Sequence, residues 1–148
     1  MNSTSASTVA SVVAATPDDQ FRFWTEEKLR NADTDQQGHV NNAIFATFFE
    51  AARIDVVSRP EIADIRAATQ IVVVRTVVNF RKELFFPGMV RIGTRVPRIG
   101  RTSLTFEHVL IGAEGMAADS EATLVLLDRG TRKPMAVPDE LRLFLTGK

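Results

Sequence analysis

The stretch Asp33-Thr34-Asp35-Gln36-Gln37-Gly38-His39-Val40-Asn41-Asn42, continued by a run of helical periodicity from Ala43 to Val57, decides how this chain folds and where its chemistry sits. The first part is rich in turn formers. In the second part Ile44, Phe45, Phe48, Phe49, Ala52, Val56 and Val57 recur at three- and four-residue steps, with Ala43, Ala46 and Ala51 between them. A helix from about Asn41 to Ser58 is predicted, with Asn41 or Asn42 as N-cap and a length of about 27 Å at the usual rise per residue. Arg59-Pro60 ends it, because proline disfavours helical geometry in the residue before it. A helix apolar over most of its circumference is expected to be surrounded. Its N-terminus carries unsatisfied N–H groups and about half a positive charge, suited to a developing oxyanion. A carboxylate a few residues away can serve as base or nucleophile. Together these supply most of what acyl transfer needs.

On the C-terminal side, a polar linker from about Glu61 to Gln70 leads into four strand-like runs. Val72, Val74, Thr76, Val78 and Phe80 share one face of the first run, with Arg75, Asn79 and Arg81 on the other. Val90, Ile92, Thr94 and Val96 form the inward row of the second, and Leu104, Phe106, His108 and Leu110 that of the third. Ala122, Leu124 and Leu126 complete the fourth, before a terminal helix around Leu141, Leu143, Phe144 and Leu145. On the N-terminal side, Phe21 to Ala32 is consistent with a first strand. Residues 1–20 read as a low-complexity extension and 21–148 as one domain. Strand, long helix, then four antiparallel strands make an α+β fold in which one sheet wraps one helix, since no other element can cover it.

The 148 residues suffice for one core that buries about 68–70% of the unfolded surface. Zero cysteines exclude disulfides, a thiolate nucleophile and cysteine-ligated metal sites, and suit a cytoplasmic location. Apolar runs fall short of the ~20 residues of a spanning helix, so no membrane partner is expected. The first twenty residues lack the basic start of a secretory signal. The balance of 18 basic and 18 acidic residues argues against nucleic acid as a partner. Locally, Arg75 to Arg101 holds seven basic residues against Glu83, an excess of 7 − 1 = +6. Such a patch can hold a phosphorylated ligand, although the plainer reading is a solvated strand face.

The Asp33-x-Asp35-x-x-Gly38-His39-Val40-Asn41-Asn42 string, Phe49-Glu50-Ala51-Ala52-Arg53, the Arg98-x-Gly100-Arg101-x-Ser103 turn and Glu121-Ala122-Thr123 resemble the hot-dog-fold acyl-CoA thioesterases of the 4-hydroxybenzoyl-CoA thioesterase type. The resemblance covers about Phe21 to Leu145. It implies a hot-dog fold, with a five-stranded antiparallel sheet around one central helix. It also implies homodimers or homotetramers joined sheet edge to sheet edge, with active sites at the subunit interface. Hydrolysis of an acyl-CoA thioester follows from it, with coenzyme A as part of the substrate, no cofactor and no metal.

Carried over by residue, the catalytic carboxylate falls on Asp35 and the carbonyl-polarising amide on Asn42. His39 has two readings, one in which it positions Asp35 or the substrate and one in which, as a lone histidine beside a helix start, it is a hydrogen-bonded structural group; it stands where the 4-hydroxybenzoyl enzyme itself has an apolar residue. Gly38 permits the close turn, Val40 and Asn41 line the substrate, and Arg98, Arg101, Thr102 and Ser103 meet the CoA nucleotide, in part from a second subunit.

Several residues have competing readings. Asp33 is expected to be a turn or capping residue. Glu50 is the rival catalytic carboxylate, because another hot-dog branch uses a glutamate on the central helix; a structural pairing with Arg53 is preferred. His108 is expected to be a satisfied core residue. A hot-dog dehydratase would need a His–Asp or His–Glu pair, which no local motif supplies. Two other functions fit the same fold: a thioesterase for acyl carrier protein, and an acyl-CoA-binding module without turnover.

Overall fold

The computed structural model describes residues 17–148. Of the expected N-terminal extension, residues 1–16 lie outside the described residues, and Pro17–Gln20 forms a short helix, α1. Strand β1 (Phe23–Lys28) is followed by a 3-10 turn (Asn31–Asp33) and the central helix α2 (Asn42–Val57). A second 3-10 turn (Pro60–Ile62) and helix α3 (Ala63–Ala68) lead to β2 (Thr69–Phe80), β3 (Met89–Ile99), β4 (Ser103–Gly112) and β5 (Gly115–Asp128), and α4 (Asp139–Thr146) follows. All strands form one antiparallel five-stranded sheet in the order β1-β3-β4-β5-β2. This is the α+β arrangement that the alternation of periods predicts, and the hot-dog architecture that the resemblance implies.

The region expected to be a polar linker is instead helical. Pro60 opens the 3-10 turn, where its missing N–H costs nothing, and the Thr69 hydroxyl donates to the Ile65 carbonyl at the end of α3 (2.7 Å).

Asn41 caps α2 with its side-chain oxygen on the Ala43 N–H, and Ser58 closes it. The helix buries Phe45, Phe48, Phe49, Ala52 and Val56. The aromatic end packs with Val90, Ile92, Leu110, Ala117 and Ala118 of the sheet. Val56 joins a second cluster with Val96, Leu104, Phe106, Leu126 and the Leu141 and Leu145 face of α4. Truncating Phe49, which is 1% exposed, to alanine would cost about 3–5 kcal/mol. The expectation that α2 is surrounded does not hold for the single chain. Ala43, Ala46, Thr47, Glu50 and Ile54 are exposed, because the sheet covers only one side of the cylinder.

The inward rows of β3, β4 and β5 lie as the alternation predicts, from Val90 to Val96, Leu104 to Leu110 and Ala122 to Leu126. Strand β2 departs from it. Its register with β5 slips between Val73 and Arg75, and an inserted residue moves every later side chain to the other face. Ile71 therefore packs with one core cluster and Val78 with the other, whereas Val73 and Val74 stay exposed on this edge strand.

Candidate active site

The signature loop is built from the chain outward. Asp33 is buried, and its carboxylate accepts the Arg30 backbone N–H (2.9 Å) and the Arg30 guanidinium (2.7 and 3.1 Å). The Arg30 guanidinium, donating to this carboxylate against the opposing cost of burial, holds it below the usual carboxylate range. Its carbonyl receives the Asn41 N–H at 2.8 Å, so Asp33 ties the strand end to the helix start. This is the structural role expected of it.

Between these anchors, Thr34 and Val40 bridge antiparallel and the Asp35 N–H reaches the His39 carbonyl at 2.8 Å. Asp35 Oδ1 accepts the N–H of Gln37 (2.8 Å) and of His39 (3.2 Å). One carboxylate oxygen thus closes the turn. Asp35 is exposed, and its Oδ2 has no partner among the described residues. Gly38 makes the turn possible with φ +88°, a left-handed conformation that side chains oppose. Nothing lies within 4 Å of where a Cβ would stand, so the demand is conformational and not steric crowding.

The helix start lies beside this loop. Asn41 Oδ1 takes the Ala43 N–H and the Asn41 carbonyl takes the Ile44 N–H at 2.9 Å. The N–H of Asn42, first residue of the helix, has no acceptor among the described residues, as the geometry of a helix start dictates. Asp35, His39, Val40, Asn41, Asn42, Phe45, Phe80 and Glu83 line one open cleft of about 430 Å³. The segment after β2 forms the far wall. It is pinned by Val40 N–H to Leu84 carbonyl (2.8 Å) and by an antiparallel bridge between His39 and Phe85.

The thioesterase-like superfamily model matches residues 29–145, most of the chain and all of this site. The chain belongs to that superfamily. The long-chain acyl-CoA thioesterase FadM of Escherichia coli is 30% identical over 122 residues, 80% of this chain and 92% of that protein. The PA5185 protein of Pseudomonas aeruginosa superimposes with a TM-score of 0.77 at 28% identity, covering 86% of this chain and 91% of that one. A Thermus thermophilus thioesterase solved with coenzyme A and zinc gives a TM-score of 0.73 at 30% identity, over 84% and 92% of the two chains.

Within this thioesterase fold, Asp35, Gly38, His39, Val40, Asn41 and Asn42 come together, with Gly38 serving the backbone. Arg98, Arg101, Thr102 and Ser103 do not join them in one chain. Ser103 is in register with Val125, which pairs with Val72, so this turn stands at the Thr69 end of the sheet. Phe80 and the Asp35 cleft lie at the opposite end, roughly 30 Å away along a strand.

The local basic excess is also largely cancelled in three dimensions. Glu121 receives both Arg75 (3.0 Å) and Arg98 (3.1 Å), Asp119 receives Arg81 (2.8 Å), and Glu107 receives Arg95 (2.8 Å). Arg91 lies 4.3 Å over the Trp24 ring. These arginines read mainly as a paired strand face. Arg101 is exposed and has no charged partner among the described residues.

Glu50 is exposed, so it needs no partner to offset burial, and the expected pairing with Arg53 does not form a hydrogen bond or salt bridge among the described residues; Arg53 is half-buried, with its Nη1 buried and without a hydrogen bond. His108 is fully buried, stacked on Phe49 (5.5 Å between centroids), with Nδ1 2.9 Å from the Thr94 hydroxyl. Burial, with the Arg53 charge, pushes its pKa down to about 3, so it is neutral. It is a core residue as expected but only half satisfied, because Nε2 has no partner.

Sequence reasoning missed Glu83. Its Oε2 lies 2.8 Å from His39 Nδ1, a His–Glu pair that no local motif announces because the two residues come from different segments. The Phe85 ring meets the His39 ring edge-on at 5.1 Å. The available signal was chemical: a carboxylate alone among seven basic residues.

Proposed function

We propose that this chain hydrolyses acyl-CoA thioesters to free acid and CoA in the Asp35 cleft. One observation carries the reading: a carboxylate with an uncommitted oxygen and a helix-start N–H without an acceptor line the same cleft. The thioester carbonyl oxygen takes the Asn42 N–H, which stabilises the charge developing there. Asp35 activates water or attacks the carbonyl carbon, and the CoA thiolate departs. His39 supports this chemistry from beside Asp35, and Phe80, packed edge-on against the buried Phe45, offers apolar surface to the acyl group. The acyl-CoA activity named for the E. coli relative and the coenzyme A bound by the Thermus relative support the substrate class. The reaction requires no cofactor beyond the CoA carried by the substrate, and a cytoplasmic location suits an acyl-CoA substrate and a chain without cysteines. No described helix is long and apolar enough to cross a membrane.

The site is completed by a second copy of the chain. Strand β2 is a twelve-residue edge strand with Val73 and Val74 47% and 60% exposed, and such an edge favours pairing. Antiparallel pairing of two β2 strands about a two-fold axis lays the Thr69 end of one copy beside the Phe80 end of the other. The Arg98–Ser103 turn of the second copy then comes to the cleft's end of the joined sheet, where CoA phosphates would meet Arg101.

The deciding experiment is Asp35→Asn, assayed by thiol release from acyl-CoAs of different chain length. Loss of general base or nucleophile lowers turnover at least about a hundredfold. Ligand affinity stays within about tenfold. Full turnover by this variant would overturn the reading.

A further inference from the structure

His39 is held from several sides. Its backbone bridges Phe85, its ring meets the Phe85 ring at 89°, and Nδ1 faces Glu83 Oε2 at 2.8 Å. An ionised carboxylate only accepts hydrogen bonds, so the neutral imidazole carries its proton on Nδ1 and presents a lone pair at Nε2. Both residues line the cleft that holds Asp35 and Asn42. Their side chains are 27% and 61% exposed, and a pair so open to water contributes little to folding. Its effect on the chemistry can therefore be separated from its effect on stability.

We propose that Glu83 is a positioning residue: through Nδ1 it sets the tautomer and orientation of His39, and His39 Nε2 accepts the proton of the attacking water. The inference rests on the reading of the Asp35 cleft as a thioester hydrolase site, and it divides the labour there. Asp35 Oδ2 attacks the thioester carbonyl, the carbon–sulfur bond breaks, and the electron pair leaves with the CoA thiolate, giving a mixed anhydride. Water then adds to the acyl carbon of the anhydride while His39 Nε2 takes one of its protons. The carbon–oxygen bond to Asp35 breaks, which restores the carboxylate and releases the acid. His39 passes its proton to the thiolate, and the acid loses its own to solvent.

The test is a double-mutant cycle with Glu83→Gln and His39→Gln, assayed on the best acyl-CoA substrate. Glu83→Gln is expected to lower kcat about tenfold or more with KM within about twofold, as when the orienting partner of an active histidine is lost. In the His39→Gln background the same change is expected to have no further effect. Unchanged kcat, or an equal loss in both backgrounds, overturns the proposal. Nitrogen NMR of the neutral imidazole gives an independent readout: His39 is expected as the Nδ1–H tautomer in the parent protein and as a mixture in Glu83→Gln. An Nε2–H tautomer in the parent protein overturns the proposal. Asp35→Asn tests the underlying reading separately, so loss of turnover there with an additive Glu83 effect sinks the positioning role alone.

Discussion

The imidazole of His108 stacks on the Phe49 ring at an interplanar angle of 27° while its Nδ1 meets the Thr94 hydroxyl at 2.9 Å, a neutral ring clamped between helix and sheet. Unfolded, a histidine binds a proton below about pH 6.5; folded, this one resists protonation down to about 3. The unfolded state therefore holds more protons across that window. Stability from this group is complete above pH 6.5 and falls on acidification at up to about 1.4 kcal/mol per pH unit. Denaturant midpoints from pH 7 to 4 are expected to fall accordingly, and His108→Leu to flatten the slope. An unchanged slope in the variant would assign the acid sensitivity to other groups.

Gly38 tests the loop. At φ +88° an alanine is strained by about 1–2 kcal/mol although there is room for its methyl group. Because Gly38 closes the turn that holds Asp35 Oδ1 on two backbone N–H groups, Gly38→Ala is expected to lower kcat. Gly38→Asn should do less harm, since asparagine tolerates the left-handed region better. Equal activity for both variants would uncouple the turn from catalysis.

Glu50 is the competing carboxylate, and its exposed place on α2 lies two turns past the Asn42 amide. Glu50→Gln is expected to keep turnover within about threefold, against a loss of at least about a hundredfold for Asp35→Asn. The reverse ranking would place the chain in the helix-glutamate branch of hot-dog enzymes.

For the CoA end, Arg101 and Arg98 should differ. Arg98 already pairs with Glu121, whereas Arg101 has no carboxylate beside it among the described residues. Arg101→Ala is expected to raise KM about tenfold with kcat little changed, the signature of lost uniform binding, and Arg98→Ala to raise it less. Unaltered kinetics in Arg101→Ala would move the nucleotide elsewhere.

Assembly is tested on β2. Replacing the exposed Val73 and Val74 by lysine puts charge on the edge expected to pair. Sedimentation at micromolar concentration should show at least a dimer for the parent protein and a monomer for the variant, with thioesterase activity lost in parallel. A fully active monomer would sink the shared site.

The sequence by itself determined the central helix, the four later strands and the turn that leads into the helix, because these are local, although the helical stretch from Pro60 to Ala68 reads in it as a linker. The period of Phe45, Phe48, Phe49 and Ala52 reports one helix face, and the rows Val90–Val96 and Leu104–Leu110 report strands. The Asp35 to Asn42 spacing is short enough that one turn and one helix start bring its ends together. Long-range pairing was not legible there. The bulge at Val73/Arg75 turns half of β2 over, a change in hydrogen-bond register that alternation cannot record. The seven basic residues looked like a patch because their partners Glu107, Asp119 and Glu121 stand on neighbouring strands. The His39–Glu83 pair exists only because the segment after β2 is stitched to the loop by the Val40–Leu84 hydrogen bond. Tertiary structure decided these features because a charge is neutralised, and an imidazole oriented, by whatever lies within about 3 Å in space, whatever its distance along the chain.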